Sequence, residues 1–124
     1  MMLIPTELRS SDIHGIGIFT VGPLEKGAHI WRLNPDFERF LNEEDVKKWP
    51  DFQQEFVYKY TYPHPENPQL LILEVDNGRF MNHSLTPNTD FKDVYNGFAL
   101  QDIPAGVELT CNYNDFHPGF TMTP

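Results

Sequence analysis

The sequence predicts a β-rich α+β fold, and three observations predict it. Eleven prolines and eight glycines among 124 residues are too many for a helical bundle, because proline breaks helix interiors and both residues mark turns. Apolar side chains recur at every second position in several short segments, the pattern of half-buried strands. Asn96-Gly97 separates two β-like runs, residues 90–95 and 98–102, and Asn-Gly is the preferred chemistry of a tight hairpin.

Taken in order, residues 13–21 alternate apolar with small side chains and read as a strand kinked by glycine, ended by Gly22-Pro23. Glu25-Lys26-Gly27 turns the chain into a second strand over residues 29–33, which Asn34-Pro35-Asp36 stops. A helical insert is expected over about residues 36–57. Asn42 suits its N-cap, and Glu43, Glu44 and Asp45 complement the positive end of a helix that carries Val46 and Trp49 on one side. A second short helix is expected over residues 51–56. Residues 58–62 hold Tyr58, Tyr60 and Tyr62 at alternate positions and read as a strand. Pro63, Pro65 and Pro68 make a loop. Residues 70–75 form an apolar strand that Asp76-Asn77-Gly78 ends. The last strand sets Val107, Leu109, Cys111 and Tyr113 on one face, against Glu108, Thr110, Asn112 and Asn114 on the other.

The length suits one domain over residues 1–124, and 40% apolar residues suffice for one modest core. A lone cysteine, Cys111, excludes an internal disulfide and any multi-cysteine zinc site, and it suits a reducing, cytoplasmic setting. No run approaches the ~18 apolar residues of a membrane span, so no membrane partner is expected. The formal charge of −9 argues against direct nucleic-acid binding, which depends on Lys and Arg neutralising phosphates. An acidic surface either attracts cationic partners or merely aids solubility.

Three segments carry chemistry. The first is His14-Gly15-Ile16-Gly17-Ile18-Phe19, whose glycines permit positive φ or a close backbone approach. No helix follows it, so it is not a dinucleotide fingerprint. The second is Arg79-Phe80-Met81-Asn82-His83-Ser84-Leu85-Thr86-Pro87-Asn88, which offers donors and acceptors to a polar cofactor. Asn, His and Ser together also suit a turn held by local backbone bonds. The third is Gly106-Val107-Glu108-Leu109-Thr110-Cys111-Asn112-Tyr113, a strand ending in a tyrosine.

In order, spacing and identity, the three together resemble the SET-domain family of protein lysine methyltransferases, over nearly the whole chain. The resemblance implies a SET fold of several small curved sheets around a C-terminal pseudoknot. It implies transfer of a methyl group from S-adenosyl-L-methionine, with S-adenosyl-L-homocysteine as product, to a lysine of a basic protein or peptide. Gly15, Ile16 and Gly17 would line the cofactor pocket, with Arg79 and Phe80, and Asn82 and His83 would contact the cofactor. Tyr113 would be the catalytic tyrosine and would also touch the cofactor. Tyr58, Tyr60 and Tyr62 are candidates for the wall of the lysine channel, because one tyrosine of this region lines the site in many relatives, and Tyr58 and Tyr60 are assigned to it.

Two departures matter. Leu85 stands where many members carry a zinc-binding cysteine, and the cysteine-rich segment that follows many SET domains is missing, so no zinc is expected. Phe116, His117 and Phe120 are the aromatic residues left to close the channel, with Phe116 assigned to the cofactor site, and a second copy in a homodimer could complete the wall. Cys111 stands in the channel where relatives usually carry Phe or Tyr, which leaves room for higher methylation states or simply fills the core. The competing readings are a catalytically inactive SET-like module that binds a basic peptide or the cofactor, a small-molecule amine methyltransferase, and an unrelated β-rich binding protein.

Overall fold

The computed structural model describes residues 1–117. Chain order begins with β1 (Thr6–Ser10), β2 (Ile16–Thr20), β3 (His29–Arg32) and β4 (Arg39–Asn42), followed by α1 (Glu43–Val46) and α2 (Asp51–Tyr60). Then come β5 (Thr61–Pro63), β6 (Leu70–Leu73), β7 (Asn82–His83), β8 (Thr89–Asp90), β9 (Asn96–Ala99) and β10 (Thr110–Cys111). Short 3-10 turns occupy Asn77–Phe80 and Tyr113–Asp115. No described helix is long and apolar enough to cross a membrane.

The strands form four small sheets: the antiparallel pair β1-β2, the triplets β3-β9-β8 and β4-β6-β5, and the parallel pair β7-β10. Ile18, Ile30, Trp31, Ile72, Phe91 and Leu109 meet where the sheets converge, which makes one core from residues of different sheets. A satellite cluster of Val46, Val57 and Leu71 fixes both helices to the β4-β6-β5 sheet. The β-rich α+β reading therefore holds.

Local chemistry explains several elements. Asn42 Oδ1 accepts the Glu44 N–H at 3.0 Å, which makes Asn42 the expected N-cap. Val46 is wholly buried, but α1 stops there and Trp49 remains exposed rather than sharing its side. The second helix runs to Tyr60, not to residue 56, so residues 58–60 are helical and only Thr61–Pro63 forms a strand. Tertiary burial decides this: Val57 packs on Val46 and Leu71, and Phe56 lies 4.8 Å from Tyr60 one helical turn on. Thr61 Oγ1 then donates to Val57 O at 2.7 Å and ends the helix.

Three strands, β1, β4 and the short β7, lie where none is read from sequence. The polar segment Thr6–Ser10 pairs with β2, Leu8 opposite Ile18, and is mostly exposed. Within the expected helical insert, Arg39–Asn42 pairs with β6, Phe40 opposite Ile72. Conversely, β2 begins at Ile16 rather than residue 13, because Ser11 Oγ accepts the Ile13 N–H at 2.9 Å and holds a turn before Gly15, at φ +47°.

The Asn96-Gly97 hairpin is not formed. Asn96 and Gly97 lie inside β9, opposite Arg32 and Trp31, and the turn sits earlier, where the Asn96 N–H reaches Asp93 O at 3.0 Å. Gly97 answers a packing need instead: a Cβ there would lie 2.6 Å from the Phe91 ring. The last strand is also shorter than expected. Only Thr110–Cys111 joins a ladder, and Tyr113 opens a 3-10 turn in which Asn112 Oδ1 accepts the Asn114 N–H at 3.0 Å.

Candidate active site

The parallel pairing of β7 with β10 sets Thr110 opposite Asn82 and Cys111 opposite His83, so the second and third motifs lie side by side. The Ser84 N–H donates to Cys111 O at 2.9 Å, and His83 Nδ1 accepts the Tyr113 N–H at 3.0 Å. The Tyr113 ring stands 5.2 Å from the His83 ring, and its hydroxyl donates to Met81 O. Burial pushes the Tyr113 phenol well above its ordinary value, with the Cys111 thiol adding to the effect. A phenol so placed stays neutral and orients groups rather than abstracting protons.

The first motif joins through Asn82. Its amide nitrogen lies 2.9 Å from Glu108 Oε2 and 3.1 Å from both Ser11 Oγ and His14 O. Ser11 Oγ donates to Glu108 Oε1 at 2.8 Å. Gly17 is required by this arrangement, because a Cβ would lie 2.3 Å from Glu108 Oε2. The three motifs thus meet at one polar junction.

Beside the junction opens a cavity whose wall includes Tyr60, Tyr62, Arg79, Cys111, Tyr113 and Phe116. Phe116 contacts three rings, at 5.0 Å from Tyr62, 5.8 Å from Tyr113 and 6.0 Å from Phe91. Phe116 and His117 both line the cavity, while Phe120 lies outside the described residues. Tyr58 is exposed and donates to Glu43 Oε2 at 3.0 Å, at the cavity's margin. Tyr60 lies under the Arg79 guanidinium, 5.4 Å from its ring centre. The Cys111 thiol is wholly enclosed, and burial raises it far above its ordinary value, so it is a neutral, inert surface.

Of the residues assigned to the cofactor, Arg79, Tyr113 and Phe116 line this cavity. His83 does not line it, and its ring stands beside that of Tyr113. Gly15, Ile16, Gly17 and Asn82 do not line it: the Asn82 amide faces Ile16 O and Glu108, Gly15 O accepts the Ser11 N–H at 2.8 Å, and Gly17 pairs with Arg9 in the β1-β2 ladder. Phe80 does not line it either, and instead supports the Arg79 guanidinium from 4.9 Å. Among the described residues, no group of three His, Cys, Asp or Glu is arranged to hold a metal ion.

Several site residues went unassigned from sequence. Tyr62, a candidate passed over for Tyr58 and Tyr60, also lines the cavity, with its hydroxyl donating to Glu74 Oε1 at 2.6 Å. The strand reading put all three tyrosines on one face, and the helix end at Tyr60 separates them. Ser11 ahead of an Asp-Ile-His-Gly turn was a readable local signal. Glu108 was marked only as part of the third motif, and Glu74 left no signal, because their partners lie far away in the chain.

Comparison with known proteins is consistent with this geometry. The family described as the SET domain matches residues 15–114. The mouse histone-lysine N-methyltransferase NSD3 is 58% identical over 43 residues, which covers 29% of this chain and 3% of that protein. The crystal structure of the Chaetomium thermophilum polycomb repressive complex 2 superposes with a TM-score of 0.69 at 21% identity, over 95% of this chain and 16% of that chain. A Plasmodium falciparum structure described as a histone methyltransferase gives 0.64 at 17% identity, over 90% and 95%. The two structural likenesses speak to fold alone.

Proposed function

Because the chain belongs to the SET-domain family, we propose that it is a protein-lysine methyltransferase dependent on S-adenosyl-L-methionine and acting on a basic, lysine-bearing protein or peptide. The observation that carries this reading is the Tyr113 phenol, neutral and held by Met81 O, standing between the Asn82-His83 strand and an aromatic cavity.

The residues present fit the cofactor. Arg79 lines the cavity with a buried Nε that has no hydrogen-bond partner, which suits the carboxylate of an amino-acid moiety. Phe116 offers an aromatic face to a base. When bound, the cofactor supplies a methyl carbon already activated by a sulfonium charge. The chain's own residues then have two tasks, alignment and exclusion of water. Lysine must be neutral to attack, and its ordinary pKa is about 10.4. A channel walled by Tyr60, Tyr62 and Phe116 disfavours the ammonium form and lowers that value. Tyr113 orients the amine, and water carries the proton away. Cys111 leaves room for more than one methyl group, so di- or trimethyllysine is the expected product.

An acidic chain of net charge −9 complements a basic tail, which supports a cationic protein as substrate. A second copy completing the channel wall and action in the cytoplasm belong to the same proposal.

The test is calorimetric titration with S-adenosyl-L-methionine, beside a methyl-transfer assay on lysine-rich peptides, for the wild type and Tyr113→Phe. Binding by both with transfer only by the wild type supports the enzyme. Binding without transfer to any basic substrate indicates the inactive module, and absence of cofactor binding removes the reading altogether.

A further inference from the structure

The cavity wall holds one buried titratable group to which alignment and water exclusion give no task. Glu74 follows β6, is 6% exposed, and accepts the Tyr62 hydroxyl on Oε1 at 2.6 Å. Its Oε2 is buried without a hydrogen-bond partner. The Met1 ammonium pairs with Glu38, from the segment before β4, and stands 3.8 Å from Glu74 Oε2. Two buried carboxyls therefore share one cation, and Glu74 has the weaker part of it. The Trp31 indole of β3 faces the same carboxyl, and Cys111 of β10 lies near the Tyr62 side. Burial raises the Glu74 carboxyl to about 7, with Glu38 adding to the rise and Tyr62, Met1 and Trp31 opposing it.

A phenol has one hydrogen to give and lone pairs to offer, so the partner of its hydrogen decides what it presents elsewhere. We propose that Glu74 is a positioning residue for the substrate lysine: its carboxylate takes the Tyr62 hydrogen, which leaves the Tyr62 oxygen as an acceptor for N–H groups on the lysine nitrogen. The assignment rests on the lysine-methylation reading above, and it deepens that reading by adding a pH-dependent element to the substrate site. A protonated Glu74 carries its own O–H, so the direction of the Tyr62 hydrogen is no longer imposed. The prepared acceptor is therefore present above about pH 7 and lost as pH falls through it. The 2.6 Å contact lies within the range of a charge-assisted bond.

The test is hexalysine binding to the full chain in saturating S-adenosyl-L-homocysteine, by calorimetry between about pH 5.5 and about pH 9, where lysine free in solution is an ammonium ion. Wild-type affinity is expected to rise about tenfold across pH 7, the gain of one charge-assisted bond. Glu74→Gln, whose side-chain carbonyl still accepts the Tyr62 hydrogen, is expected to bind well at every pH and to lose the rise. Glu74→Leu and Tyr62→Phe should each lose about tenfold at pH 8, and the double variant no more than either, as coupled residues do. An unchanged rise in Glu74→Gln, additive losses, or no hexalysine binding by the wild type overturns the assignment. A wild type that binds with the full pH rise but transfers no methyl group upholds the Glu74–Tyr62 pairing and counts against the enzyme alone.

Discussion

Asn82 and Glu108, 26 residues apart, meet at 2.9 Å from amide nitrogen to carboxylate oxygen, and Ser11 donates to the same carboxylate across 97 residues. One side chain therefore holds the glycine loop, the Asn-His strand and the last strand in a common position. Asn82 is thereby turned toward the loop, so its first task is to shape the site.

Glu108→Ala leaves the Ser11 hydroxyl and the Asn82 amide without their acceptor. The expected cost is about 1–3 kcal/mol of folding stability, read as a lower urea midpoint, with a matching loss of cofactor affinity. Glu108→Gln keeps one acceptor oxygen and should cost less. Equal midpoints for Glu108→Ala and the wild type would show that the junction does not hold the loop.

The two glycines of the first motif should respond differently to alanine. At Gly17 a Cβ meets Glu108 Oε2 at 2.3 Å and Ser11 Cβ at 3.1 Å, so Gly17→Ala disrupts the junction, at about 1–3 kcal/mol. At Gly15 nothing lies within 4 Å, and only its φ of +47° opposes a side chain, at about 1 kcal/mol. Thermal melts of both variants, with cofactor titrations, separate the effects: cofactor binding should suffer mainly in Gly17→Ala.

Gly97→Ala tests why that glycine is there. A turn glycine would resist alanine through its backbone alone, whereas here the Phe91 ring stands 2.6 Å from the new Cβ. Destabilisation of about 1–3 kcal/mol is expected. Pairing the substitution with Phe91→Leu should recover part of it, by making room. No recovery in the double variant would return the glycine to a purely conformational role.

Folding stability should depend on Glu74 in a defined direction. Its carboxyl titrates at about 7 in the folded chain, against 4.5 for an ordinary one. The folded state keeps a proton that the unfolded chain has already released, so this group's contribution is full below about 4.5 and declines as pH rises to about 7. At about 1.4 kcal/mol per pH unit the decline sums to about 3 kcal/mol. Urea midpoints across this window should fall with pH in the wild type and stay flatter in Glu74→Gln. A wild-type midpoint rising over the same window would contradict a proton held by buried Glu74.

Much of the architecture was legible because its causes are local. Asn42 caps α1 through the N–H of a residue two positions on, and such chemistry can be read from neighbours alone. Tyr113 and the Asn-His pair stood out as family motifs. By contrast, β1 and β4 escaped notice because a short strand is defined by the backbone of its partner, and β4 pairs with β6 across a helical excursion. Tyr58 and Tyr60 read as strand residues, yet Val57 is buried between Val46 and Leu71, and that burial extends the helix through them.

The amino-acid sequence by itself determined the β-rich fold class, which period and composition carry, and the three motifs, whose resemblance to the SET-domain family singled out Tyr113. Only the tertiary structure decided that the Tyr62 hydroxyl pairs with Glu74 while that of Tyr58 pairs with Glu43, that Glu108 clamps Ser11 to Asn82, and that Gly97 makes room for Phe91. These are contacts between side chains far apart in the chain, fixed by hydrogen-bond length and steric exclusion, and neither force leaves a periodic trace along a sequence.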